Sequence, residues 1–138
     1  MNVFFTDRDL GKTFPETLRS AGLAVERHAD HFAPDCPDED WLKVIGELGW
    51  IAITHDARIR YKPNERYAVM AFKVALLVVV GNARHSELAS GFVAMRDRTL
   101  RFVEKHDPPY IARVYCSPVV DPKRKTAQQG RIELWCSQ

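Results

Sequence analysis

The sequence predicts a three-layer α/β/α fold with a central, mostly parallel sheet and a short C-terminal β extension. Three observations carry that prediction. Apolar runs of strand length alternate with stretches of helical period along the chain. The run from Val74 to Val80 is wholly apolar and rich in valine, as a strand covered on both faces would be. The 138 residues suffice for one domain with its own core, burying roughly 68% of the unfolded surface.

Each element follows from its local pattern. Val3–Thr6 is a short apolar strand. Gly11–Ala21 carries Phe14, Leu18 and Ala21 on one helical face, and Gly22 ends it. Ala24–His28 reads as a second strand, and Ala29–Pro37 as a polar loop. Asp38 then caps a helix with Trp41, Ile45 and Leu48 inward, stopped by Gly49. Trp50–Thr54 is a third strand. A basic loop precedes a short helix over Glu65–Lys73, and Val74–Val80 is the fourth strand. Ser86–Lys105 reads as one long helix, with Leu88, Phe92, Met95 and Phe102 inward. Ile111–Val120 is a fifth strand, Asp121–Gly130 a polar loop and Arg131–Cys136 a last short strand. The β-α-β alternation predicts parallel pairing with helices on both faces.

Composition narrows the function classes. At 46% hydrophobic and 28% charged, the chain is neither a disordered tail nor a coiled coil. No apolar run approaches the ~20 residues a membrane span needs. The N-terminus lacks the pattern of a signal peptide, and the three cysteines (Cys36, Cys116, Cys136) form no C-x-x-C. These features suit a cytoplasmic protein with free thiols. Net charge is +2, but residues 1–60 carry −4 and residues 61–138 carry +6. Such a division suits metal binding by one part and polyanion binding by the other.

In a parallel α/β sheet, ligands sit beyond the carboxyl ends of the strands. Asp7 and Asp9 follow the first strand, and Asp56 follows the third. Asp38, Glu39 and Asp40 open the helix leading into the third strand. Carboxylates gathered at one rim repel, and a cation between them relieves the repulsion. Oxygen donors with few His or Cys nearby suit Mg²⁺ or Mn²⁺. Each acid also has a plain structural role available. Asp38–Asp40 favour a helix N-terminus, and Asp9 before Gly11 reads as the cap of the first helix.

Three active-site plans place acids here. A haloacid-dehalogenase-like phosphatase uses D-x-D after strand one and a strand-ending Ser/Thr, as Asp7-Arg8-Asp9 and Thr54 would supply. It also needs acids after strand four, where Gly81-Asn82-Ala83-Arg84-His85 stands. A receiver domain would use Asp7 and Asp56, but Ala57-Arg58-Ile59 departs from its pattern. The third plan uses all the acids. Phe4-Phe5-Thr6-Asp7, Pro37-Asp38-Glu39-Asp40-Trp41 and Ile51-Ala52-Ile53-Thr54-His55-Asp56 together resemble the PIN-like nucleases, closest to the small prokaryotic branch with the VapC-type toxins.

That resemblance covers about residues 3–115. It implies one PIN-like domain over 1–138, with residues 119–138 an extension outside the matched region. It implies a metal-dependent endoribonuclease, with Asp7, Asp56 and an acid from Asp38 or Glu39 as catalytic metal ligands for Mg²⁺ or Mn²⁺. RNA is the implied substrate, a cognate antitoxin the implied partner, and a homodimer is compatible with it. Asn82 stands where many of these domains carry a fourth acid, which keeps open a PIN-like scaffold that binds RNA or a partner without cutting. Arg58, Arg60, Lys62, Arg84 and His85, at the same rim, are the candidates for holding the phosphate backbone. Lys123, Arg124, Lys125 and Arg131 extend that surface or simply solvate a loop. His28 and His31 lack the second ligand pair of a zinc site. Trp41, on the inward helical face, belongs to the core.

Overall fold

A computed structural model describes residues 2–116 and 130–137. In chain order the elements are β1 (Val3–Thr6), α1 (Thr13–Ser20), β2 (Ala24–Arg27), α2 (His28–His31), α3 (Asp38–Leu48), β3 (Ile51–Thr54), α4 (Pro63–Ala71), β4 (Ala75–Val80), α5 (His85–Ala94), α6 (Arg96–Lys105), β5 (Tyr110–Tyr115) and β6 (Arg131–Ser137). Two 3₁₀ turns, Arg8–Leu10 and Ala57–Tyr61, follow β1 and β3. The strands form one sheet in the order β2-β1-β3-β4-β5-β6. All neighbours pair parallel except the last, where β6 runs antiparallel to β5.

The sheet is sandwiched because its central strands β1, β3 and β4 are apolar at nearly every position. Side chains alternate between faces along a strand. Phe4, Ile51, Ile53, Leu77, Val79, Tyr110 and Ala112 therefore meet α1, α5 and α6 in one buried cluster. Phe5, Ala52, Leu76, Val78 and Ile111 meet α3 and α4 in another. Trp41 is fully buried in that second cluster, as its helical position predicts. The helices there approach closely at Gly46, where any Cβ would run into the Phe72 carbonyl oxygen. Gly49 ends α3 in the left-handed conformation that favours glycine.

Several local expectations give way. The Ser86–Lys105 helix is two helices, because Met95 leaves helical geometry between them and packs in the core. The turn there brings α6 alongside the end of β6, where Arg98 donates to the Gly130 carbonyl. The Ala29–Pro37 loop begins with the single turn α2, which buries His28 among Phe5, Phe32 and Trp41. Periodicity cannot reveal so short a helix. The basic loop after β3 is a 3₁₀ turn that buries Ile59. Leu48 is 53% exposed, and Leu42 takes its place in the core. Pro37, not Asp38, is the cap residue of α3. The fifth strand is seen to Tyr115, and the rest of Ile111–Val120 beyond Cys116 lies outside the described residues. Lys123, Arg124 and Lys125 also lie outside them. Among the described residues no helix is long and apolar enough to cross a membrane.

Candidate active site at the β1–β3 switch

Chain direction across the sheet reverses at β1: β2 lies on one side of it and β3 on the other. The connections leave opposite ways at that point, so a crevice opens between the carboxyl ends of β1 and β3. A cleft of about 500 Å³ occupies it, lined by Asp7, Arg8, Asp9, Asp38, His55, Asp56, Arg58 and Lys62. Asp7, Asp38 and Asp56, expected from the sequence, all reach this cleft. Glu39 is exposed on the next residue of α3 and does not line it.

Asp7 and Asp9 are held by the end of β3. Thr54, fully buried, places its hydroxyl 2.9 Å from Asp7 Oδ2 and 3.2 Å from Asp9 Oδ2. The backbone N–H of His55 donates to Asp9 Oδ2 at 3.1 Å. Asp9 is thus not a helix cap: Asp7 caps the first 3₁₀ turn, accepting from Arg8 N, and α1 begins with no side-chain cap. A threonine hydroxyl has one proton and two lone pairs. Here the Asp56 N–H reaches one lone pair at 3.3 Å, and two carboxylates approach the rest. The arrangement is satisfied when one carboxyl of the pair carries a proton.

Electrostatics agrees with that count. Burial, then the nearby charges of Asp9 and Asp38, pushes Asp7 up to about 7. Burial also raises Asp9, against the hydrogen bonds from His55 and Thr54. Asp56 differs. Burial opposes its charge, yet hydrogen bonds from Lys62 and Arg58 outweigh it and hold the carboxyl low. Lys62 Nζ lies 2.9 Å from Asp56 Oδ2, and Arg58 Nε 3.1 Å from Oδ1. Asp38 Oδ1 accepts from Trp41 Nε1 at 2.9 Å, which fixes the acid against the core.

The donor set suits a hard divalent cation at one end more than at the other. Asp7, Asp9 and Asp38 are oxygen donors, the charges of Asp9 and Asp38 press on buried Asp7, and no ion pair joins any of the three among the described residues. Asp56 has its cations already. Among the described residues, no three Asp, Glu, His or Cys side chains are grouped closely enough to hold a metal ion as they stand.

The predicted basic residues divide. Arg58 and Lys62 line the cleft, and Arg60 stands on the same 3₁₀ turn. Arg84 and His85 line an adjoining hollow with His55 and Thr13. His55 bridges the two, donating from Nε2 to the Gly81 carbonyl at 2.7 Å, and its ring lies 6.3 Å from that of His85. His28 is buried and His31 pairs with Glu26 at 3.0 Å, so the two do not converge. Arg8, Asp9 and His55 are the charged or titratable cleft residues that sequence reasoning left out of the site. The signal for Asp9 was its place two residues beyond Asp7, opposite the strand-ending Thr54.

A family profile described as "PIN like domain" matches residues 1–81. A protein of Mycobacterium tuberculosis (strain ATCC 25618 / H37Rv) named "Putative ribonuclease VapC45" is 29% identical over 126 residues, covering 87% of this chain and 91% of that protein. No solved structure gives a significant match.

Proposed function

The chain belongs to the PIN-like domain family, and from that premise we propose that it is a metal-dependent endoribonuclease. The observation that carries the reading is the meeting of Asp7, Asp9, Asp38 and Asp56 in one cleft at the switch point of the sheet. Similarity to a protein named as a ribonuclease adds support. Asp7, Asp9 and Asp38 would hold Mg²⁺ or Mn²⁺, with Asp56 joining as Lys62 turns toward phosphate. Such an ion supplies a nucleophilic water and stabilises charge on the leaving oxygen.

The chain's own residues do the rest. Thr54 orients Asp7 and Asp9 toward the same volume. Lys62 and Arg58 stand at the cleft wall, where a phosphate could replace Asp56 as their partner. His55, committed at Nε2 to Gly81, keeps Nδ1 available as an acceptor. Asn82 carries no charge, so among the described residues the charged donors are the acids at β1, α3 and β3. A toxin role with a cognate antitoxin, exercised in the cytoplasm, fits the same reading.

Asp9 beside Asp7 and Thr54 is also what a dehalogenase-like phosphatase would present. Incubating the purified protein with total RNA, and separately with a small phosphate ester, distinguishes them. The ribonuclease cuts RNA with Mn²⁺, stops in chelator and leaves the ester intact. Ester hydrolysis without RNA cleavage establishes the phosphatase. Metal binding with neither activity leaves a scaffold.

A further inference from the structure

The sheet face formed by β5 and β6, on the side of α3 and α4, carries a ladder of alternating aromatic and arginine side chains. The Tyr61 ring lies 6.2 Å from the Trp135 ring. The Arg113 guanidinium stands 4.1 Å over Trp135 and 5.5 Å from Tyr115. The Arg131 guanidinium stands 4.2 Å over Tyr115. Cross-strand pairing produces this, since Tyr115 is opposite Arg131 and Arg113 opposite Glu133. A break in register completes it. Ile111 pairs with Cys136 and Ala112 with Leu134, so Trp135 is an extra residue. The bulge brings Trp135 and Cys136 to the same side, against the second core cluster.

A plain structural account is that the ladder merely covers a sheet face with flat side chains. Two observations go beyond it. The first is exposure at its near end: Tyr61 is 71% exposed, and so is Tyr67, with which it lines an apolar hollow beside Pro63, Arg66 and Met70. The second is continuity with the acid cleft. Tyr61 ends the 3₁₀ turn that Asp56 caps, and the next residue, Lys62, lines the cleft itself. A strand of nucleic acid crossing Lys62 would leave the cleft directly onto Tyr61.

We propose, resting on the ribonuclease reading of the cleft, that Tyr61 and Tyr115, held in place by the Trp135–Arg113 stack between them, form a stacking platform for the unpaired bases of single-stranded RNA. Aromatic rings and guanidinium planes both stack on bases, and every base offers a face, so such a surface is tolerant of sequence. The arginines add attraction for phosphate, reduced by Glu133, which pairs with Arg113 and lies 3.9 Å from Arg131. Duplex RNA keeps its bases stacked inside and gains little from the ladder. The platform therefore selects single strands, and the acid cleft cuts beside it.

Binding of a short labelled single-stranded RNA and of a blunt duplex, both in chelator to prevent cleavage, tests this. Tyr61→Ala and Tyr115→Ala should each weaken single-strand binding by about five-fold or more, and duplex binding by much less. Tyr115→Phe, which keeps the ring, should bind as wild type, and circular dichroism should confirm that each variant folds. Wild-type single-strand affinity in both Ala variants overturns the platform while RNA cleavage by the parent keeps the nuclease. Equal loss on duplex and single strand also overturns it, since stacking is then not what was removed. If the wild type binds single strands through these tyrosines but never cleaves with Mn²⁺, the platform stands and the nuclease reading falls. If it neither binds nor cuts RNA, both fall.

Discussion

Asp7 and Asp56 occupy equivalent places, one residue after β1 and two after β3, yet they sit in opposite electrostatic states. Asp7 is buried at 5% exposure beside two other acids, and its carboxyl is driven up to about 7. Asp56 rests on Lys62 and Arg58 and is held below the usual range. The neighbours decide the difference. The 3₁₀ turn after β3 brings Lys62 back onto its own cap. The turn after β1 places a second aspartate beside the first and presses both against Thr54. At one end of the cleft burial and neighbouring acids outweigh any compensation, and at the other the cations are in direct contact. A pair of titratable groups pushed apart in this way suits two different roles in one reaction.

The largest expected effect attacks the Asp7 end. Asp7→Asn should lower RNA cleavage in Mn²⁺ on the order of 100-fold or more, because it removes a charged ligand from the ion that stabilises the transition state. Asp9→Asn should fall with it, given the shared contact to Thr54. Gel assays at a fixed Mn²⁺ concentration check both, and wild-type rates in the two variants would place the chemistry elsewhere.

Next comes stability against pH. Asp7 rises from 3.8 to about 7 on folding, so the folded chain holds a proton that the unfolded chain releases. Its contribution is fully present below about pH 4 and is lost as pH rises through about 7, amounting to at most about 4 kcal/mol. In chelator, Asp7→Asn should therefore melt above wild type at pH 8, and the gap should narrow toward pH 4. Saturating Mn²⁺ should shrink or reverse the gap, since the ion stabilises the chain that binds it better. Thermal melts of both proteins in both buffers measure this. Lower melting of Asp7→Asn at pH 8 in chelator would mean that the acids do not repel.

Asp56 has the opposite slope. Its folded value is depressed, so its contribution is present above about pH 4 and is lost as pH falls through the folded value. Lys62→Met should flatten that acid-side loss and cost about 1 kcal/mol at pH 7, a small figure because both partners are partly exposed. Acid melts of the variant should show a shallower decline than wild type, since Arg58 still holds the carboxyl low. The smallest effect belongs to Arg58, whose side chain is 82% exposed. Arg58→Glu should weaken RNA binding and lower the slope of log affinity against log salt by about one.

The sequence made the strands legible because buried parallel strands are apolar at every position, and Val74–Val80 could hardly be anything else. Asp7 and Asp56 were legible as charges placed directly after such runs. Asp9 was not, because an acid before a helix has a cheaper explanation as a cap, and only the fold brings Thr54 against it. The break at Met95 was hidden for a similar reason, since Met95 keeps to the inward face on which a continuous helix would also place it. Trp135 could not be assigned a face at all. Strand alternation fixes sides only while register is kept, and the bulge breaks it at that residue.

That bulge also bears on how the protein behaves among its own copies. Among the described residues β6 is the outermost strand of the sheet, and none of them pairs with its far row of N–H and C=O groups. At the opposite border β2 has only four residues, too short to template much. β6 has seven, long enough to seed edge-to-edge growth. Its charged Arg131 and Glu133, together with the kink at Trp135, oppose a flat second strand. The inserted residue that aims one tryptophan thus also works, with those two charges, against edge-to-edge pairing.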